Sequence, residues 1–229
     1  MSDLPYTVRR SERARRARIM VSPHGVEVVV PPRYALGDVE PFVEEKRGWI
    51  ERTLRRMRES ELELPPPRLV DGGEVPYLGR GLLLRLRVEP GRRRAHVARR
   101  GAELNVAVDR PGPAPLRDAL ERWYRRRARA EIPPRLDAAA ARAGAGYASL
   151  QIRGQRTRWA SCSATGAMSF NWRLLLAPEE ILDYVVEHEV AHLEVHDHSA
   201  RFWSLLAARL PDYEQHEAWL RRHGHSLRL

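Results

Sequence analysis

The chain has 229 residues, 43% of them apolar, and carries 40 Lys plus Arg against 30 Asp plus Glu, a formal net charge of +10. That length and apolar content support a full hydrophobic core, as one large domain or two small ones. The single cysteine, Cys162, excludes an internal disulfide, and no apolar run approaches the roughly 18 residues that a membrane-spanning helix requires. Met1-Ser2-Asp3-Leu4-Pro5 has no feature of a secretory leader, so the expected location is cytoplasmic, with no membrane partner. Lys46 is the sole lysine, so arginine supplies the positive charge, as in Arg92-Arg93-Arg94 and Arg125-Arg126-Arg127. These runs read as solvated faces, with nucleic acid kept open as a partner because such clusters also bind phosphates.

In chain order, Arg18–Ser22 and Val26–Val30 flank Pro23-His24-Gly25 and predict a hairpin. A helix is predicted from Asp38, with Val39, Phe42, Val43, Trp49, Ile50, Leu54 and Met57 on its apolar side. Leu64-Pro65-Pro66-Pro67-Arg68 reads as a stiff linker. Short strands are expected near Leu82–Val88, His96–Ala98 and Leu104–Val108, and Pro111-Gly112-Pro113-Ala114-Pro115 marks the internal boundary. The texture then becomes helical from Leu116, with a kink expected at Pro133-Pro134 and a stop at Gly144-Ala145-Gly146. Strands Thr157–Ser161 and Met168–Leu176 bracket Ala164-Thr165-Gly166; either could be a sheet edge open to an extended peptide. Helices Ser199–Arg209 and about Asp212–Arg222 end the chain, split by Pro211.

Between the strand Met168–Leu176 and the helix Ser199–Arg209 lies His188-Glu189-Val190-Ala191-His192, then His198. Histidines four apart share one helical face, so both rings can reach one ion. Glu189 follows the first ligand, where a general base must sit to take a proton from a metal-activated water. Pro178 at the first turn with Glu179 and Glu180 behind it, then the apolar stripe Ile181, Leu182, Val185, Val186 and Leu193, place the motif in an amphipathic helix. A zinc site of this type needs a third protein ligand. His196 continues the stripe, but a helix rises about 12 Å over eight residues, and ligand nitrogens must stand about 2.0–2.1 Å from zinc. The helix is therefore expected to end near Glu194–His196, and a turn to return His198 to the ion. Asp197 or Ser199 can cap the next helix. A carboxylate from downstream, Glu214 or Glu217, is the alternative, and His196 ranks last.

Arg158-Trp159-Ala160-Ser161-Cys162-Ser163, Met168 through Leu175, and His188 through Trp203 together resemble the YgjP-like metallopeptidase-domain family, relatives of the WLM and SprT-like zincins. Arg9-Arg10-Ser11 and Phe42, Lys46, Trp49 and Ile50 extend the likeness over most of the chain. The resemblance implies Zn2+ held by His188, His192 and His198, with Glu189 as catalytic acid and base. One departure is Ala160, where the family pattern carries glycine.

The expected architecture is α+β: a β-rich region with one amphipathic helix over 1–110, then a zincin-like catalytic domain of helices and a small antiparallel sheet over 111–229. The expected activity is that of a zinc-dependent hydrolase acting on a peptide or protein substrate. A second donor to the developing oxyanion is sought among Arg158, Asn171, Tyr184 and His216, with Arg158 and Asn171 carried as substrate-binding candidates. Cys162 reads as a small buried residue rather than a nucleophile. Two other readings compete. One is a zinc hydrolase of nucleotide phosphoanhydrides, which no Gly-rich phosphate loop supports; the other is a DNA-associated protease or binding module, by analogy with the SprT-like proteins.

Overall fold

In the computed structural model, which describes residues 4–22, 25–155 and 157–229, ten strands in three small sheets combine with five α-helices, an α+β architecture. The chain divides into two compact units, Met1–Pro65 with Arg222–Ser226, and Pro66–Arg221 with Leu227–Leu229. The passage between them falls inside the proline linker Leu64–Arg68. The boundary expected at 110/111 lies within the second unit, because the strands before it and the long helix after it pack on each other.

In the first unit, β3 (Gly25–Val30) is the middle strand of three. It pairs antiparallel with β2 (Arg18–Ser22), as the sequence predicts, and parallel with β1 (Tyr6–Arg10), which the sequence reading did not assign. Pro23 and His24 of the expected turn lie outside the described residues. Val26, Val28 and Val30 on one face of β3 meet Val39, Val43 and Ile50 of α1 (Val39–Glu63), the helix predicted from Asp38. Near the end of α1, fully buried Ser60 hydrogen-bonds His223 Nδ1 at 3.1 Å, and Ser226 Oγ stands 3.4 Å away.

In the second unit, β4 (Glu74–Tyr77), β5 (Arg80–Val88), β6 (His96–Arg100) and β7 (Glu103–Val108) form a sheet in the order β4-β5-β7-β6. Pro76 fits β4 because the strand lies at the edge, where a missing N–H leaves no gap in the ladder. The β4–β5 turn is tight: Leu78 has φ +49°, and its N–H donates to Leu175 O at 2.9 Å. A side chain at Gly79 would stand 3.6 Å from Pro178 Cα, so this turn touches the segment that starts the motif helix.

α2 (Pro113–Arg142) continues through Pro133-Pro134, the pair expected to kink it. Its buried stripe, Leu116, Leu120, Trp123, Tyr124, Ile132 and Leu136, outweighs the lost hydrogen bonds. The helix stops where Gly144 takes φ +62°. α2 packs on α3 (Glu179–Ala191), and Arg135 fastens the pair. Its guanidinium reaches Asp183 at 3.1 Å and Glu131 at 3.0 Å, and also bonds Glu179. The remaining sheet has the order β8-β10-β9: β8 (Ser149–Arg153), β9 (Ala160–Cys162) and β10 (Ala167–Asn171). β10 is paired on both sides, so Met168–Leu176 is not an edge, and its second half is a 3₁₀ turn, Trp172–Leu176. Ala160 begins β9 without a positive φ, so the glycine of the family pattern is not needed here for backbone freedom. Helices α4 (Ala200–Arg209) and α5 (Tyr213–His223) follow. Among the described residues, no helix is long and apolar enough to cross a membrane.

Burial and neighbouring Arg222 and His225 lower the pKa of His223, against the pull of Glu63. A folded-state pKa below the unfolded value makes the fold lose stability as pH falls from the unfolded pKa, about 6.5, through the folded one. The protection factors of amides at the end of α1, their exchange rates referred to the intrinsic rate at each pH, are therefore expected to fall between pH 7.5 and pH 5, and His223→Gln to flatten that dependence.

Candidate metal site

α3 delivers the first two histidines because Pro178 precedes it with extended backbone, Glu179 and Glu180 sit in its positive first turn, and its apolar face is buried. The helix ends at Ala191, earlier than the predicted Glu194–His196, and His192 is its C-cap. A turn through Leu193–Val195 then reverses the chain, with Val195 N–H bonded to Ala191 O at 3.0 Å. Asp197 Oδ1 accepts from Ser199 N–H at 3.1 Å, and Ser199 is the N-cap residue of α4.

This turn brings His188, His192 and His198 together, with one ring nitrogen from each within 4.8 Å of the others. Among the described residues it is the only group of three or more His, Cys, Asp or Glu that could hold a metal ion. The Nε2 atoms of His188 and His198 stand 3.1 Å apart, close to the separation of about 3.3 Å that two nitrogens take at tetrahedral positions 2.0–2.1 Å from one ion. His192 Nδ1 stands 3.0 Å from Val195 O. A carbonyl only accepts, so Nδ1 carries the proton and Nε2 keeps its lone pair for an ion. Burial, reinforced by its two neighbouring histidines, pulls the pKa of His188 down to about 3, so its ring is neutral at neutral pH. The donor set therefore fits a borderline-soft divalent cation.

Aromatic packing fixes the rings. Phe202, wholly buried, stacks on His192 at 4.5 Å between centroids and 27° between planes, and meets His188 and His198 edge-on at 4.9 Å each. Trp203 Nε1 donates to His198 O at 3.1 Å, and its ring lies over Tyr213 at 5.5 Å. The sequence reading quoted Phe202 and Trp203 without giving them this role; their position one turn into a helix capped beside His198 was the available signal.

Glu189 is buried, 5% exposed. Its carboxylate accepts from the backbone N–H of Cys162 in β9, yet its Oε2 has no partner among the described residues. Burial raises its pKa to about 7, against the Cys162 N–H and the charge of Arg158. A buried acceptor held by one donor and left with an oxygen that has no partner among the described residues is equipped to take a proton.

The other candidates separate. Arg158 is exposed and close enough for its charge to act on Glu189. Asn171 is a correction: its side chain is spent on backbone, Nδ2 donating to Gln155 O at 2.7 Å and Arg158 O at 3.2 Å while Oδ1 accepts from Arg173 N–H at 3.1 Å. Buried and bonded this way, it shapes the loop that carries Arg158. Tyr184 is buried 5.9 Å, ring to ring, from His188, and His216 lies 6.2 Å from Tyr184. Glu214 accepts from Tyr213 Oη at 3.2 Å and Glu217 lies 3.9 Å from Arg221; neither joins the histidines, and His196 is exposed outside the group. Cys162 is half-buried rather than buried, and burial with the charge of Glu189 raises its thiol pKa, against a nucleophilic role.

A family model described as YgjP-like, metallopeptidase domain, matches residues 15–223. No curated protein matches. Among solved structures, the metallopeptidase zymogen abylysin of Pyrococcus abyssi matches at 24% identity over 39% of this chain and 90% of that one, with a TM-score of 0.36.

Removing the Phe202 ring leaves a cavity under the histidines. Phe202→Ala is expected to cost about 3–5 kcal/mol of stability, read as a lowered urea midpoint.

Proposed function

Because this chain belongs to the YgjP-like metallopeptidase-domain family, we propose that it is a zinc-dependent peptidase of the zincin type. His188, His192 and His198 would hold the ion, and Glu189 would act as general base and then general acid. The observation that carries this reading is the cluster of three ring nitrogens, with the buried Glu189 next in sequence to His188 and its Oε2 without a partner among the described residues. Bound zinc supplies an acidified water and a Lewis acid for the scissile carbonyl. Glu189 Oε2 would take a proton from the attacking water and give it to the leaving amine, while the Cys162 N–H keeps the carboxylate aimed. His192 is held in its ligating tautomer by Val195 O. Arg158 is the side chain placed to favour negative charge beside Glu189.

Extended peptide would lie along β9, the strand of its sheet that carries Cys162 and has β10 on one side only. This shifts the expected edge from Thr157–Ser161 to Ala160–Cys162. A location in the cytoplasm belongs to the same proposal.

The test is metal content beside activity. Wild type is expected to hold about one zinc per chain and to hydrolyse peptides from an unbiased library. His188→Ala and His198→Ala are expected to lose both. Glu189→Gln is expected to keep the metal and to lose hydrolysis by at least ~100-fold, the lower range for a general base. Metal retained in His198→Ala would shift the third ligand to Glu214 or Glu217. A Glu189→Gln protein that cleaves as fast as wild type would remove the mechanism.

A further inference from the structure

A second site stands apart from the histidines in sequence and chemistry. A cavity of about 550 Å³ opens between the end of β6, the turn at Gly101 and the middle of α2. Three of its lining side chains are Arg99, Arg126 and Arg127, Trp123 also borders it, and among the described residues no carboxylate lines it. We propose that this cavity binds a phosphate-bearing ligand.

Two of the guanidiniums are held in place. Arg127 donates through Nε to Tyr77 Oη at 3.0 Å and through an amine to Glu131. Arg99 donates through Nε to Gly101 O at 2.9 Å, which folds it over its own turn. Their central carbons stand 5.9 and 5.0 Å from the Tyr77 ring centroid, so one buried ring orients both. Arg126 has neither ion pair nor hydrogen bond among the described residues. Glu131, the acid that pairs with Arg127, also bonds Arg135, so its charge is divided.

Positive charge thus exceeds negative at the cavity, and the terminal amines of Arg99 are unspent. A carboxylate offers two oxygens and satisfies one guanidinium fork, whereas a phosphoryl group offers three acceptor oxygens and up to two charges. Trp123 is 4% exposed and presents no face for a base to stack on. The cavity therefore reads charge rather than base identity. The group can come from a free oligophosphate or from a nucleic acid backbone.

Calorimetric titration of the full chain with pyrophosphate at fixed ionic strength tests this. The same titration in the His188→Ala protein removes any contribution of an ion at the histidines. Wild type is expected to bind saturably. Arg126→Gln alters one exposed, unpartnered side chain and should weaken binding about 10-fold, the value of one charge-assisted contact. Arg99→Ala combined with Arg126→Gln should abolish it. Arg93→Ala, which removes the same charge elsewhere, should change affinity by less than about 2-fold. A single-stranded oligonucleotide that binds about 10-fold tighter than pyrophosphate, and is weakened equally by Arg126→Gln, assigns the phosphate to a nucleic acid; equal or weaker binding assigns it to a small molecule. No saturable binding, an unchanged affinity in Arg126→Gln, or an Arg93→Ala effect as large, overturns the proposal.

Discussion

A straight helix cannot bring side chains at positions 188, 192 and 198 to one point, and the second unit is built around the turn that escapes this limit. α3 stops at Ala191, Val195 is buried as an anchor, and the same residue's carbonyl orders the His192 ring. One residue thereby closes the turn through its N–H and selects the tautomer through its carbonyl. Much of the surrounding structure holds the two ends of that arrangement still. Leu78 and Gly79 press against the approach to α3, Arg135 clamps its first turns to α2, and Phe202 and Trp203 fix the returning segment.

The second requirement is a dry acceptor beside the histidines. β9 is only three residues long, but it places the Cys162 N–H on Glu189 and leaves the other carboxylate oxygen free. Asn171 makes this possible at one remove. By gathering Gln155 O and Arg158 O it sets the loop that feeds β9, and its own N–H bonds Trp159 O at 2.7 Å. The Asn171 side chain is thus a brace for the strand beside Glu189.

Elements with strong local periodicity were legible from sequence: α1, α2, the motif helix, and β5 and β7, whose apolar positions alternate. The strands that escaped were those whose reason to exist is a distant partner. β1 pairs parallel with β3, and β8 pairs parallel with β10, contacts that no local window contains. β4 was hidden by Pro76, which only an edge position tolerates. The same blindness made β10 look like an edge, because Phe170 and Trp172 alternate alike in a central strand and an outer one. At the site, the histidines and Glu189 were legible because they are contiguous and chemically distinctive. The Val195 carbonyl and the Cys162 N–H were not, since every residue carries those groups and only the fold aims them.

All three ring nitrogens come from one short stretch, His188 to His198. Closing a loop of that length costs little chain entropy, and the cost grows only by about 0.6 kcal/mol per doubling. A denatured chain can therefore still gather the same imidazoles around an ion. Whatever binds the unfolded ensemble cancels part of the stabilisation an ion gives the native one. Sites whose ligands come from remote segments reward folding with nearly their whole binding free energy. This one does not, so the unit must owe its stability to the packed helices and sheets, with the ion as a passenger of the fold rather than its keystone.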